Sequence, residues 1–190
     1  MTRLNLRLET LQKLKGLTGK NQYKFLGFSL DLEKSTLTDC LPQPTGLNEW
    51  ANQILTTLLC HYSLATPISP TGKLVKYKDI PGGHAFEDAF VKRAIEPVAE
   101  VFGQKPHKLV ESAKLLCGTK LNLGDASVEI PALKGIPLTY ILWGKEEFPA
   151  SANILFDATA SCYLPTEDLA VLGELCTLRL KEARKNFFVP

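Results

Sequence analysis

The residues best suited to chemistry gather between Trp143 and Asp168, in the run WGKEEFPASANILFDATASCYLPTED. Glu146, Glu147, Asp157, Glu167 and Asp168 stand there among Trp143, Phe148, Phe156 and Tyr163, and no basic residue follows Lys145 within the run. Carboxylates that face each other across a cleft can act as an acid–base pair or hold a hard cation. Glu146-Glu147-Phe148-Pro149 reads as a loop after an apolar strand, and Asp157 ends the next apolar run. If Glu147 and Asp157 converge they form such a pair; if not, they are loop acids that accept backbone N–H bonds. Glu167 and Asp168 have a local duty already. They complement the dipole of a helix starting near Thr166, whose hydroxyl is placed to cap it.

Cys60-His61-Tyr62 closes a long helix. On a helical wheel His61 falls between Trp50 and Ile54, at the shoulder of the apolar stripe, while Cys60 faces away with Glu49 and Gln53. The two therefore share no metal. His61 alone reads either as an axial metal ligand in an apolar pocket or as a histidine hydrogen-bonded at the edge of a core. Pro81-Gly82-Gly83-His84 precedes another helix. Its glycines would let a backbone approach an anion at the helix start, but Glu87 and Asp88 already place negative charge there, so a tight turn competes with a site. Cys162, beside Tyr163, is the thiol to test for reactivity, although nothing basic nearby would lower its pKa. Cys117 and Cys176 read as structural.

The signatures of phosphate loops, dinucleotide folds, zinc hydrolases, serine hydrolases and C-x-x-C redox centres are all missing. A chain of 190 residues suits one domain with a substantial core, and a net charge of +2 gives no footprint for nucleic acid. Five cysteines, odd in number and widely spaced, point to free thiols in a reducing compartment, so a cytoplasmic location is expected. No apolar run reaches the roughly 20 residues needed to span a bilayer.

The elements that must position these residues follow from periodicity. Leu4, Leu8, Leu11 and Leu14 line one side of an amphipathic N-terminal helix within residues 1–20, read as docked on its own domain in preference to a membrane surface. Phe25 to Leu32 alternates as a half-buried strand, with Thr36 to Thr38 as its hairpin partner. Thr45 to Ala65 carries a helical stripe of Leu47, Ala51, Ile54, Leu58, Tyr62 and Ala65. Lys73 to Lys78 reads as a strand. The helix from His84 to Phe102 buries Phe86, Phe90, Val91, Ala94, Val98 and Val101 and should kink at Pro97, ending at Gly103. A further helix starts at Pro106. Ala126 to Ile130 and Ile136 to Trp143 are strands joined at Lys134-Gly135, the second apolar on both faces and so central. Asn153 to Asp157 and Ala160 to Tyr163 are short strands, and a last helix from Thr166 to Lys185 buries Leu169, Leu172, Cys176 and Leu180. This grouping predicts an α+β fold, a single domain with a mainly antiparallel sheet packed against several helices.

Two long runs carry a resemblance. HYSLATPISPTGKLVKYKDIPGGHAFEDAFVKRAIEPVAEVFG and IPLTYILWGKEEFPASANILFDATASCYLPTEDLAVLGE resemble two blocks of a prokaryotic domain family of unknown function, over about residues 20–180. The resemblance implies a setting in strict anaerobes, where some members are fused to a four-cysteine iron–sulfur module like that of corrinoid and acetyl-CoA pathway proteins. This chain lacks that module. The positions it singles out are His61, Tyr62, Gly82, Gly83, Trp143, Glu147, Phe148, Pro149, Asp157 and Glu167. It implies a cofactor-binding accessory protein that handles a corrinoid or other tetrapyrrole, with His61, Trp143 and Phe148 lining an apolar pocket bordered by Glu146 and Glu147. A larger metalloenzyme would be its partner. The alternatives are a small enzyme using Glu147 and Asp157, with or without a metal, and an interaction module without a small ligand.

Overall fold

The computed structural model describes residues 1–44 and 49–187, and of Trp50 the backbone alone. The expected helix start at Thr45, and Leu47 on its stripe, lie outside the described residues. Two antiparallel sheets and the helices around them form an α+β fold, and one hydrophobic core runs through both.

The smaller sheet is built at the N-terminus. β1 (Thr2–Arg3), β4 (Thr36–Asp39), β3 (Phe28–Asp31) and β2 (Gln22–Phe25) lie side by side in that order. The period-two run from Phe25 to Leu32 is therefore two strands with a turn between them. Leu26 and Gly27 both take positive φ (46° and 74°), as a two-residue hairpin turn requires. The expected single strand missed that turn because Leu26 is a poor turn residue. It is tolerated because its side chain is fully buried and its carbonyl accepts the Nε–H of Arg179 at 3.0 Å. Thr36–Asp39 pairs back on β3 as expected. The N-terminal helix α1 (Leu8–Thr18) is shorter than its pattern. Leu11 and Leu14 are buried, Leu4 is buried ahead of the helix, and Leu8, placed on the stripe by periodicity, is exposed.

The larger sheet runs β5 (Leu74–Lys76), β9 (Ser151–Asp157), β8 (Ile136–Trp143), β7 (Ala126–Leu133) and β6 (Thr119–Leu121). β8 holds the centre, as its two apolar faces predict, and Lys134-Gly135 turns it back from β7. Tyr62 and Tyr23 clamp that turn: the Tyr62 hydroxyl donates to the Lys134 carbonyl and the Lys134 N–H donates to Tyr23, each at 2.7 Å.

Helices α2 (Glu49–Tyr62), α3 (Glu87–Phe90), α4 (Glu96–Phe102), α5 (His107–Lys114) and α6 (Thr166–Lys185) complete the fold. α3 and α4 join through a π-helical segment, Val91–Ile95, in which the Glu96 N–H bonds the Val91 carbonyl. Pro97 lacks the N–H that would bond Arg93, and the helix answers by widening one turn in place of breaking. Its buried face is Phe90, Ala94, Val98 and Phe102, while Phe86, expected inside, is exposed. Gly103 ends α4 in ordinary right-handed geometry (φ −58°). A Cβ there would lie 2.3 Å from that of Ala150, so close packing demands this glycine. Ala160–Cys162 is a 3-10 turn, not the expected strand. Pro165 stands at the N-cap of α6, and the Thr166 hydroxyl, expected to cap, donates to the Pro81 carbonyl at 2.7 Å. Leu169, Leu172, Cys176 and Leu180 are all buried in α6, and burial pushes the Cys176 thiol up to about 12.

Candidate functional site

The residues singled out by sequence separate into two groups at opposite ends of β8. From Ile136 to Trp143 that strand spans about 24 Å. Near its start stand Tyr62, whose hydroxyl reaches the Lys134 carbonyl, and Asp157, one residue past the Leu138–Phe156 pair, while His61 meets Asp168 of α6 and Gly82 and Gly83 pack near Thr166 and Tyr77. At its far end stand Trp143, Glu146, Glu147 and Phe148. Glu147 and Asp157 are separated by the whole of β9, about 20 Å, so they do not meet. Among the described residues, the hollows between α2 and α6 are lined by neither Trp143 nor Phe148.

Most of these side chains have structural employment. Asp157 is 2% exposed and accepts bonds from the N–H and hydroxyl of Thr159, the N–H and hydroxyl of Thr71 and the N–H of Gly72. Burial raises its carboxyl pKa, but the bonds from Thr159, Thr71 and Gly72 together outweigh that and hold it down at about 2. Asp157 thus fastens the segment 66–73, which Tyr163 also grips through the N–H and carbonyl of Ile68. Tyr62 is buried against the Lys134 turn, and that burial raises its phenol far above its usual range. Gly82 takes φ 82°, and Gly83 lies so close to Tyr77 that a Cβ would sit 2.0 Å from its carbonyl oxygen. The pair is a tight turn. Gly83→Ala is expected to lower stability by about 2–4 kcal/mol, read as a drop in melting temperature; an unchanged Tm would show that the turn can open.

His61 is different. At the last turn of α2 its Nδ1 lies 2.5 Å from Oδ2 of Asp168, on the first turn of α6. The contact engages Nδ1 and leaves Nε2 as the ring nitrogen that Asp168 does not meet. The His61 side chain is 47% exposed and that of Asp168 is 15% exposed, so the pair sits at the surface with the acid inside. Sequence reasoning placed His61 but missed its partner, 107 positions away. Nothing in the local sequence could have linked them.

Asp168 of this pair lines a groove between α2 and α6, and His61 stands one helical turn beyond Thr57 of the same groove. Gln53, Ile54, Thr57 and Leu58 of α2 face Asp168 and Val171 of α6 next to His61. The groove opens farther along into a cavity of about 600 Å³ lined by Ala51 and Ile54 of α2 and Val171, Glu174, Leu175 and Leu178 of α6, with Arg93 on the third wall. From Ala51 to His61 α2 spans about 15 Å. Its floor is apolar because Val171, Leu175 and Leu178, spaced four and three positions apart, fall on one face of α6, and Leu178 is 41% exposed within it. Among the described residues no three of His, Cys, Asp and Glu converge to hold a bare metal ion, and no helix is long and apolar enough to cross a membrane.

At the far end of β8 the surface is of another kind. Phe148 is 78% exposed, Trp143 40% and Leu123 42%, beside the exposed Glu146 and Glu147. Gly124 brings the Leu123 loop against the Trp143 ring.

A two-sheet α+β domain with a helix-lined groove is thus the class defined by fold and site. Residues 24–179 match the family described as Domain of unknown function (DUF3786), and the chain belongs to that family. No curated protein and no solved structure matches the chain.

Proposed function

We propose that the chain is a ligand-binding accessory protein whose site is the α2–α6 groove, and that its ligand is a metal-centred tetrapyrrole of corrinoid or haem type. The observation that carries this reading is the His61 Nδ1–Asp168 contact of 2.5 Å, which ties an exposed imidazole to an acid that itself lines the groove. Metal-ligating histidines characteristically have the other ring nitrogen held by a carboxylate in this way. The residues present fit such a group. His61 supplies one nitrogen, Ile54, Val171 and Leu178 supply apolar surface, and a cavity of about 600 Å³ lies within the range of small-molecule sites. A bare ion would lack the remaining ligands, so the metal would arrive within its own macrocycle. When bound, the group would supply the metal chemistry, and this chain would hold and orient it, with a larger metalloenzyme as recipient. The resemblance to a family of strict anaerobes, some members of which are fused to a four-cysteine module like that of corrinoid proteins, is in keeping with the same reading.

Titration of the anaerobically purified protein with iron protoporphyrin IX and with cobinamide tests it. The expected result is a shifted absorption band of a histidine-ligated metal, lost in His61→Ala and weakened about 10- to 100-fold in Asp168→Asn. Absence of a band shift with either compound in the wild-type protein sinks the proposal.

A second reading has one observation in its favour. The exposed Leu123, Trp143 and Phe148 suit an interaction module that docks on another protein. The carboxylate-pair enzyme has no comparable support, because Glu147 and Asp157 stand at opposite ends of β9.

A further inference from the structure

We infer that the surface around Trp143 and Phe148 docks on the basic N-terminal face of a second copy of this chain, so that copies join through two unlike surfaces. The inference stands apart from the α2–α6 groove, and neither depends on the other.

The receiving surface is firmly built. The β6–β7 and β8–β9 loops meet at one end of the larger sheet and brace each other. The Asp125 N–H donates to the Leu142 carbonyl at 3.0 Å, and the Asp125 carboxylate accepts the Gly144 N–H at 2.7 Å. On the other flank the Lys145 N–H donates to the Gly103 carbonyl at 2.9 Å. A braced backbone therefore holds Leu123, Trp143 and Phe148 in the open, where their apolar surface is best covered by a partner.

The charge beside them selects that partner. Glu146 and Glu147 share the loop with Phe148, and Glu96 and Glu100 border a hollow of about 380 Å³ on the loop's other flank, together with Lys145. Among the described residues none of these carboxylates has a hydrogen bond or an ion pair. They outnumber Lys105 and Lys145, the cations of the same surface. Pairing this surface with itself would set like charges against each other, which is costly at an interface. Its occupant must bring cations around an apolar anchor.

The same chain carries that complement near the other end of β8. Residues 1–24 hold Arg3, Arg7, Lys13, Lys15, Lys20 and Lys24 against Glu9 alone, and among the described residues only Lys13 of these cations forms an ion pair, with Glu9 at 2.6 Å. Leu8 is 72% exposed on the outer face of α1, with Lys15 two turns along the same face. α1 ends beside the Lys134 turn, where Lys134 Nζ reaches the Leu17 carbonyl at 2.9 Å. Leu8 and Phe148 both lie open, so the contact is not made within one copy. A second copy is always present at the concentration of the first, and a net charge of +2 does little to hold copies apart.

Sedimentation velocity of the full-length protein in low salt, from about 1 to 500 μM, tests the inference. The mean mass of wild type is expected to rise with concentration. Phe148→Ser, and separately Arg7→Glu combined with Leu8→Ser, should each weaken association at least about tenfold. Mixed in equal amounts, the two variants should associate again, because each keeps the surface that the other has lost. All three positions are exposed, and a glutamate at the start of α1 suits the helix dipole, so circular dichroism and melting temperature should show both variants folded. Wild type that stays monomeric over the whole range overturns the inference and leaves the patch to another cationic protein. Association that survives Phe148→Ser, or a mixture of the variants that stays monomeric, overturns it too, since copies would then join through another surface or like to like.

Discussion

Replacing Arg179 with methionine is expected to destabilise the fold by roughly 3–5 kcal/mol, the largest single-residue effect in this protein. The side chain is fully enclosed. Its guanidinium donates to both oxygens of Asp39, to Oε2 of Glu182 and to the Leu26 carbonyl, and stacks on Phe28 with its carbon 3.9 Å from the ring centre. Methionine keeps much of the volume and none of the bonds. Asp39, itself nearly enclosed, then loses both guanidinium bonds, and the Leu26-Gly27 turn loses the donor that stabilises its positive-φ leucine. Lysine keeps the charge but not the fork, so Arg179→Lys should recover less than half of the loss. Urea unfolding midpoints give the answer. A loss below about 1 kcal/mol in Arg179→Met would mean that the network contributes no more than a surface ion pair.

The second large effect belongs to Asp157. Asp157→Ala leaves the N–H groups of Thr159, Thr71 and Gly72 without their acceptor at a site that is 2% exposed, at a cost of about 2–4 kcal/mol. Local loosening should accompany it, with segment 66–73 becoming open to protease before the domain unfolds. The carboxyl also sets an acid limit. Its pKa falls from 3.8 to about 2 on folding, so its stabilisation is complete above about 4 and disappears as the pH falls through 2. Wild type should therefore lose stability more steeply than Asp157→Asn between pH 4 and 2. Parallel curves for the two proteins would show that this carboxylate plays no part.

How much of this was legible in the sequence depends on where each residue finds its partner. The β7–β8 hairpin could be read because Lys134-Gly135 interrupts two apolar runs, and β8 announced its central place by being apolar on both faces. α6 followed from period and composition. The Leu26-Gly27 turn was hidden because it lacks the usual asparagine or aspartate and relies on an arginine 153 positions away. Asp157 looked like a site acid because Thr71 and Gly72, which employ it, are 86 and 85 positions distant. Ala160 to Tyr163 is short and apolar, and only the 3-10 turn that leads into α6 distinguishes it from a strand. His61 could be picked out as an unusual residue on a helix shoulder. The groove beside it could not, because the wall opposite is made by a helix more than a hundred residues later.

α6 is synthesised after every element it packs against, and this has a bearing on how the protein reaches its fold. It supplies Arg179 to the first sheet, Asp168 to α2, Glu174 to the π-helical turn and Thr177 to the Ala94 carbonyl. Until those residues leave the ribosome, the two sheets meet through Tyr23 and the Lys134 turn while the apolar faces that α6 covers stay open. Apolar surface left open in this way is the kind on which aggregation competes with folding. Closure of the fold comes late and all at once, through contacts of high sequence separation.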